Sequence, residues 1–122
     1  MTLPSKQERG VRAYNRGLWA ERLARWLLRA KLYRIVGERV KTRAGEVDIV
    51  ARKGKTLVIV EVKARRSADE AADAVSSQQW GRLLRAAEIL LAREPENTFL
   101  RFDVIHVVPG RFPRHLPDAW RP

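Results

Sequence analysis

The sequence contains no cysteine. That absence excludes a disulfide scaffold, a thiolate metal centre and a cysteine nucleophile. It also fits a reducing compartment, so a cytoplasmic location is expected. No apolar run approaches the roughly 20 residues that a membrane-spanning helix needs. Lys6, Arg9, Arg12 and Arg16 have no apolar stretch behind them, unlike a secretory leader. A Gly-x-x-x-x-Gly-Lys phosphate loop, a Gly-x-Gly-x-x-Gly turn and a Gly-x-Ser-x-Gly nucleophile elbow are all missing. The only histidines are His106 and His115, too few for a zinc site built on imidazole alone. Acidic residues are scarce as well: 14 Asp plus Glu stand against 25 Lys plus Arg, for a net charge of +11.

What is present describes one basic domain. The 122 residues match the size of a single domain that buries about two thirds of its unfolded surface. A hydrophobic content of 45% with 32% charged residues is that of a folded chain rather than a disordered one. The positive excess is one-sided. Residues 1–66 hold 18 basic and 6 acidic groups, +12, and the remainder holds 7 and 8, −1. A one-sided excess is the electrostatic footprint of a polyanion, and nucleic acid is favoured over anionic lipid. A basic helix lying on a membrane is disfavoured, because Glu21 and Gly17 interrupt the face it would need.

The pattern along the chain alternates helix and strand. Residues 1–10 read as a polar arm. Residues 11–32 read as a helix whose apolar face carries Ala13, Ala20, Leu23, Ala24 and Leu27. Glu21 falls on the rim of that face beside Tyr14, Gly17 and Leu28, half-buried and in need of a partner. Trp19 and Trp26 lie on the opposite flank, where core or dimer packing is favoured over base stacking. Residues 33–40, 46–51 and 57–63 read as strands, the last two joined at Gly54-Lys55 by a type II′ turn that pairs i with 109 − i. Residues 64–75 read as a loop or short helix. Ser76-x-x-Gln79 reads as a capping box opening a helix to about Arg93. Residues 98–108 read as another strand, and 109–122, rich in proline, as an irregular tail. Trp80 is as plausible a helix anchor as a base-stacking platform, His106 reads as structural, and His115 and Trp120 support no assignment. Asp103 is open between a structural and a supporting role.

One constellation carries chemistry. In the 109 − i register, Asp48 lies opposite Glu61 and Glu46 opposite Lys63, with Cβ atoms roughly 5 Å apart. Two carboxylates that close repel unless a cation separates them. An oxygen-seeking divalent ion such as Mg²⁺ suits the gap, since it takes one or two carboxylates and leaves sites for water and phosphate oxygen. Leu57-Val58-Ile59-Val60 is the apolar run of a covered strand, and Glu61 and Lys63 interrupt its end, where charge is costly unless used or paired. The simpler reading is a Glu46–Lys63 salt bridge on a half-exposed hairpin. Lys41, Arg43, Arg65 and Arg66 flank this edge, where they would grip a sugar-phosphate backbone.

Asp48 followed by Glu61-Val62-Lys63, behind an N-terminal helix, resembles the PD-(D/E)xK nuclease superfamily. More narrowly, four blocks in order resemble the YraN-like uncharacterised bacterial family: Gly17–Ala24, Arg43–Val50, Val60–Arg65 and Arg101–Ile105. The resemblance implies an α/β fold with a restriction-endonuclease-like core, a mixed central β-sheet flanked by helices, shared with Holliday-junction resolvases. It implies that Asp48 and Glu61 hold Mg²⁺ (or Mn²⁺), with the Val62 carbonyl as an extra ligand. Lys63 would orient or activate the attacking water, and Glu21 matches the helix-borne acid of resolvase-like members. Val47 stands where many members have proline. Gln78 or Gln79 occupies the stretch that often contributes a further site residue, though Gln79 is also the cap. The implied activity is metal-dependent endonucleolytic hydrolysis of DNA, ahead of RNA, including branched or single-stranded forms. The alternative is a catalytically inactive nucleic-acid-binding module of the same fold. Resolvase-like members are often dimers, so the resemblance points to a homodimer.

Overall fold

A computed structural model describes residues 3, 5–66 and 75–122 of the chain. Helix α1 spans Lys6–Ala30. Strands β1 (Arg34–Thr42), β2 (Gly45–Lys53) and β3 (Thr56–Ala64) follow. Helix α2 (Ser77–Leu91), β4 (Phe99–Val107) and β5 (Arg114–Trp120) complete the order. The strands form one five-stranded sheet in the order β1-β2-β3-β4-β5. Only β3 and β4 pair in parallel, with α2 in the crossover between them, so the sheet is mixed. The architecture is therefore α/β, a mixed sheet flanked by helices, consistent with a restriction-endonuclease-like core.

Each face of the sheet has its own core. On one face, Ala20, Ala24, Leu27 and Leu28 of α1 pack on Ile49, Ala51, Val58, Val60, Ile105 and Val107. On the other, Leu83, Ala86, Ala87 and Leu90 of α2 pack on Leu57, Ile59, Phe102 and Val104. Coverage of both faces explains the unbroken Leu57–Val60 run. The β2–β3 hairpin has the expected register, from Lys53 opposite Thr56 to Ile49 opposite Val60. At its turn Gly54 has φ +58° while Lys55 is not left-handed, as a type II′ turn requires.

Several expectations are corrected. Helix α1 begins at Lys6, inside the expected polar arm, because the Ser5 hydroxyl accepts the Glu8 N–H at 3.1 Å. Trp19 and Trp26 do not enter the core; they are 43% and 55% exposed, and Trp26 meets Phe112 edge-on at 6.2 Å. Of the two readings open for Trp80, the helix anchor holds: it is buried and stacked on Trp120 at 5.2 Å. The tail is not irregular throughout, since 114–120 form β5 against β4. Pro117 is tolerated because β5 is an edge strand and the ladder shifts between Phe102 and Val104. Most of the loop or short helix expected over 64–75, and the side chains of Ala13 and Tyr14, fall outside the described residues.

Candidate active site

The end of the β2–β3 hairpin opens where the carboxylates lie. The ladder runs to Ile49 opposite Val60 and stops. At the next position the Asp48 side chain enters the gap, and its Oδ2 accepts the Val62 N–H at 2.8 Å. A carboxylate thus takes the place of a backbone acceptor and fixes Asp48 against β3. Glu61 and Lys63 continue the alternation of Ile59 and so share the α2 side of the sheet. Lys63 Nζ lies 3.5 Å from Glu61 Oε1. Glu61 is 8% exposed, and its Oε2 is buried with no hydrogen-bond partner.

The electrostatics follow from that crowding. Burial, then the charge of Glu61, pushes the Asp48 carboxyl up to about 7, against a smaller opposing effect of the Val62 N–H. The charge of Glu21 and a hydrogen bond between the two carboxyls push the same way. One proton shared by two acids is one way to stabilise them. A divalent cation is the other, and the unpartnered Glu61 Oε2 is the atom it would satisfy. Two facing carboxylates, one with an orphaned oxygen, form a donor set that fits a hard divalent ion.

The remaining expected residues are arranged differently from one another. Val62 joins the site through its N–H. Glu21 is half-buried and engaged by Arg39, whose Nε donates to Oε2 at 2.8 Å. Arg39 is itself unusual. It sits across from Asp48 between the pairs Glu38–Ile49 and Val40–Val47, with φ +47°. A left-handed conformation on a non-glycine residue costs about 1–3 kcal/mol and tends to occur at functional sites. Among the described residues no three carboxylate or imidazole side chains converge into a preformed metal cage, so Asp48 and Glu61 are the pair brought together.

The Glu46–Lys63 pair expected from the register does not form, because the ladder ends before reaching it. Glu46 is exposed opposite Lys41 of β1 instead, and its carbonyl accepts Arg82 Nη1 at 2.9 Å. Gln79 closes the capping box with Ser76, and Gln78 is exposed. Lys41 and Arg43 are exposed at the β1–β2 hairpin tip, whereas Arg65 turns back to the Ala64 carbonyl at 3.0 Å and Arg66 is exposed beside it. His106 pairs in register with Lys63; burial, then Arg114, Arg65 and Lys63, lowers its pKa. Asp103 is structural. It is fully buried and accepts bonds from Arg101, from His115 Nε2 at 2.7 Å and from the Asp118 N–H at 2.9 Å.

Sequence reasoning missed Arg39 and Arg82. Both are single cations in a sequence full of them. Only the fold shows that one faces Glu21 and the other reaches the backbone two residues before Asp48.

Comparison with known proteins gives a consistent result. A family model described as "Uncharacterised protein family UPF0102" matches residues 20–107. A UPF0102 protein of Parvibaculum lavamentivorans is 56% identical over 115 residues, covering 93% of this chain and 86% of that protein. One of Maricaulis maris is 49% identical over 111 residues, covering 88% and 86%. One of Caulobacter vibrioides is 47% identical over 117 residues, covering 94% of each.

Proposed function

The chain belongs to the uncharacterised protein family UPF0102, and from that premise we propose that it is a metal-dependent endonuclease acting on DNA. The observation that carries this reading is the pairing of half-buried Asp48 with buried Glu61, whose Oε2 has no hydrogen-bond partner among the described residues, at the opened end of a hairpin. Keeping two acids together is costly, and a pure binding surface for polyanions gains nothing from them. Asp48 and Glu61 would hold Mg²⁺ or Mn²⁺, with the Val62 carbonyl and Glu21 as the further ligands that the superfamily resemblance names. When bound, such an ion supplies Lewis-acid charge to a phosphate oxygen and acidifies a neighbouring water.

The chain's own residues do the rest. The Val62 N–H holds Asp48 in place through Oδ2. Lys63 sets an ammonium beside Glu61, a fixed positive charge where negative charge develops on the phosphate. Arg39 orients Glu21. Lys41, Arg43, Arg65 and Arg66 supply phosphate contacts that position the strand without reading sequence. Holding a cation requires both acids ionised, so the proton that burial and Glu61 keep on Asp48 must leave. Activity therefore rises with pH through about 7.

The test is cleavage of a panel comprising linear duplex, single strand, flap, four-way junction and structured RNA, with Mg²⁺, Mn²⁺ or EDTA. The expected result is cleavage that needs metal and falls at least about 10³-fold in Asp48→Asn, the loss of several kcal/mol of charge stabilisation. Cleavage in EDTA, or undiminished cleavage by the variant, contradicts the site. Binding across the panel without cleavage in any metal favours the inactive binding module.

A further inference from the structure

Residues 67–122 carry a net charge of −1, yet they contribute to a cationic trough. Arg85 in α2 and Arg93 just beyond its end are exposed. Lys41 and Arg43 are exposed on the β1–β2 hairpin facing them. These four line two adjoining hollows of ≈ 540 and ≈ 510 Å³ that share Arg43, Ile89 and Ala92. Glu88 is the one carboxylate on the walls. Among the described residues none of the four cations has an ion-pair partner, whereas Arg25, Arg39, Arg52, Arg101 and Arg121 all do. Four like charges gathered around a single carboxylate still repel, and a polyanion is the ligand that relieves them.

The trough is tied to the carboxylate pair. Arg82 reaches from α2 to the Glu46 carbonyl at 2.9 Å, two residues before Asp48. The approach depends on Gly45, at φ +130°, because a Cβ there would lie 2.6 Å from Arg82 Nη1. Helix and hairpin are thus held together along one side of the site. A lipid surface is a poor match. Membrane-surface segments insert large exposed apolar side chains; here Ala44 and Ile89 are half-buried, and the exposed apolar wall residue, Ala92, offers only a methyl group.

We propose that this trough, with Arg85 and Arg93 as its outer wall, seats the sugar-phosphate backbone of a nucleic-acid strand leading to Asp48 and Glu61. The proposal rests on the nucleic-acid part of the reading above and not on turnover. Its test is accordingly run in EDTA, where no cleavage is expected. Binding of a labelled DNA duplex is followed by fluorescence anisotropy across a salt series. The double variant Arg85→Ala/Arg93→Ala is compared with Arg12→Ala/Arg22→Ala, an equal charge change at exposed positions of α1 on the other face of the sheet. Arg85→Lys/Arg93→Lys keeps the charges, and thermal melts check that every variant is folded.

The trough pair is expected to weaken binding at least about tenfold at 0.1 M salt and to make the log–log salt slope shallower by about 1.8, two phosphate contacts' worth. The lysine variant should retain most of the affinity, and the α1 pair should cost less than about threefold. Equal losses from both alanine pairs, or no loss from the trough pair, overturn the proposal. So does binding to anionic vesicles that depends on Arg85 and Arg93 with no binding to DNA. Because the readout needs neither metal nor turnover, a failure here leaves the Asp48→Asn cleavage result standing, and the reverse also holds.

Discussion

Asp48 and Asp103 are the same residue type, both in strands, and their surroundings push them in opposite directions. Burial, reinforced by Glu61, lifts Asp48 to about 7. Burial would lift Asp103 too, but bonds from Arg101, His115 and the Asp118 N–H outweigh it and hold that carboxyl at about 2. The consequences for stability differ in sign. The folded state keeps a proton on Asp48 that the unfolded chain has lost above the ordinary value of 3.8. Asp48 therefore costs stability increasingly as pH rises from about 4 to about 7, with the full cost present above that. Asp103 contributes stability that is present above 3.8 and lost as pH falls towards about 2. In EDTA, Asp48→Asn is expected to be more stable than the parent at pH 8 by about 1–2 kcal/mol, a thermal midpoint higher by roughly 3–8 °C. The two should converge near pH 3.5. A midpoint for Asp48→Asn at or below the parent's at pH 8 contradicts the crowding of Asp48 and Glu61. The pairing of Asp48 with Glu61 was legible in the sequence because a two-residue turn dictates register. The partners of Asp103 were not, since His115 and Asp118 lie in a stretch whose prolines disguise a strand.

At the scale of elements, caps and turns were legible wherever a local signal exists. Ser76 and Gln79 form the expected box, and Gly54 the expected turn. Ser5 caps α1 by the same chemistry and was hidden only by the basic residues after it. The end of α1 breaks the local rules. Leu32 is left-handed at φ +67° and 84% exposed, with Leu32 N–H bonding Arg29 O and Tyr33 N–H bonding Leu28 O. That is the closing pattern in which glycine is usual, because a side chain in this conformation costs about 1–2 kcal/mol. Leu32→Gly is expected to stabilise the fold by about 0.5–1 kcal/mol after the larger entropy of the unfolded glycine is subtracted. Denaturant unfolding reads this directly, and a destabilised variant means that Leu32 makes contacts that outweigh its strain. Strand β5 was illegible for a different reason. Its place is set by tertiary contacts, the Trp120 ring on Trp80 and His115 on Asp103, which no local pattern encodes.

For the molecule as a whole, the count of charges located the positive excess but not its shape. The amino-terminal basic residues are spread over α1, β1 and the hairpins, and several are paired in place: Arg25 with Glu38, Arg39 with Glu21, Arg52 with Glu94. Four cations without an ion-pair partner among the described residues, Lys41, Arg43, Arg85 and Arg93, gather where the β1–β2 tip meets α2, two from each side of the meeting. Only the mixed sheet, with α2 crossing between β3 and β4, brings them to the side on which Glu61 and Lys63 point. Alternation and composition thus sufficed for β1 to β4 and the carboxylate pair, while β5 and the surface that surrounds the pair depend on the fold.

Metal-dependent cleavage requires that Asp48 and Glu61 form a divalent-cation site. The most direct test is titration of the protein with Mn²⁺, followed by the loss of the free-ion paramagnetic resonance signal, at pH 8 and at pH 6. The expected result is one bound ion per chain at pH 8, weaker binding at pH 6 where Asp48 retains its proton, and none in Asp48→Asn or Glu61→Gln. No binding by the parent protein, or the same binding by both variants, would contradict it.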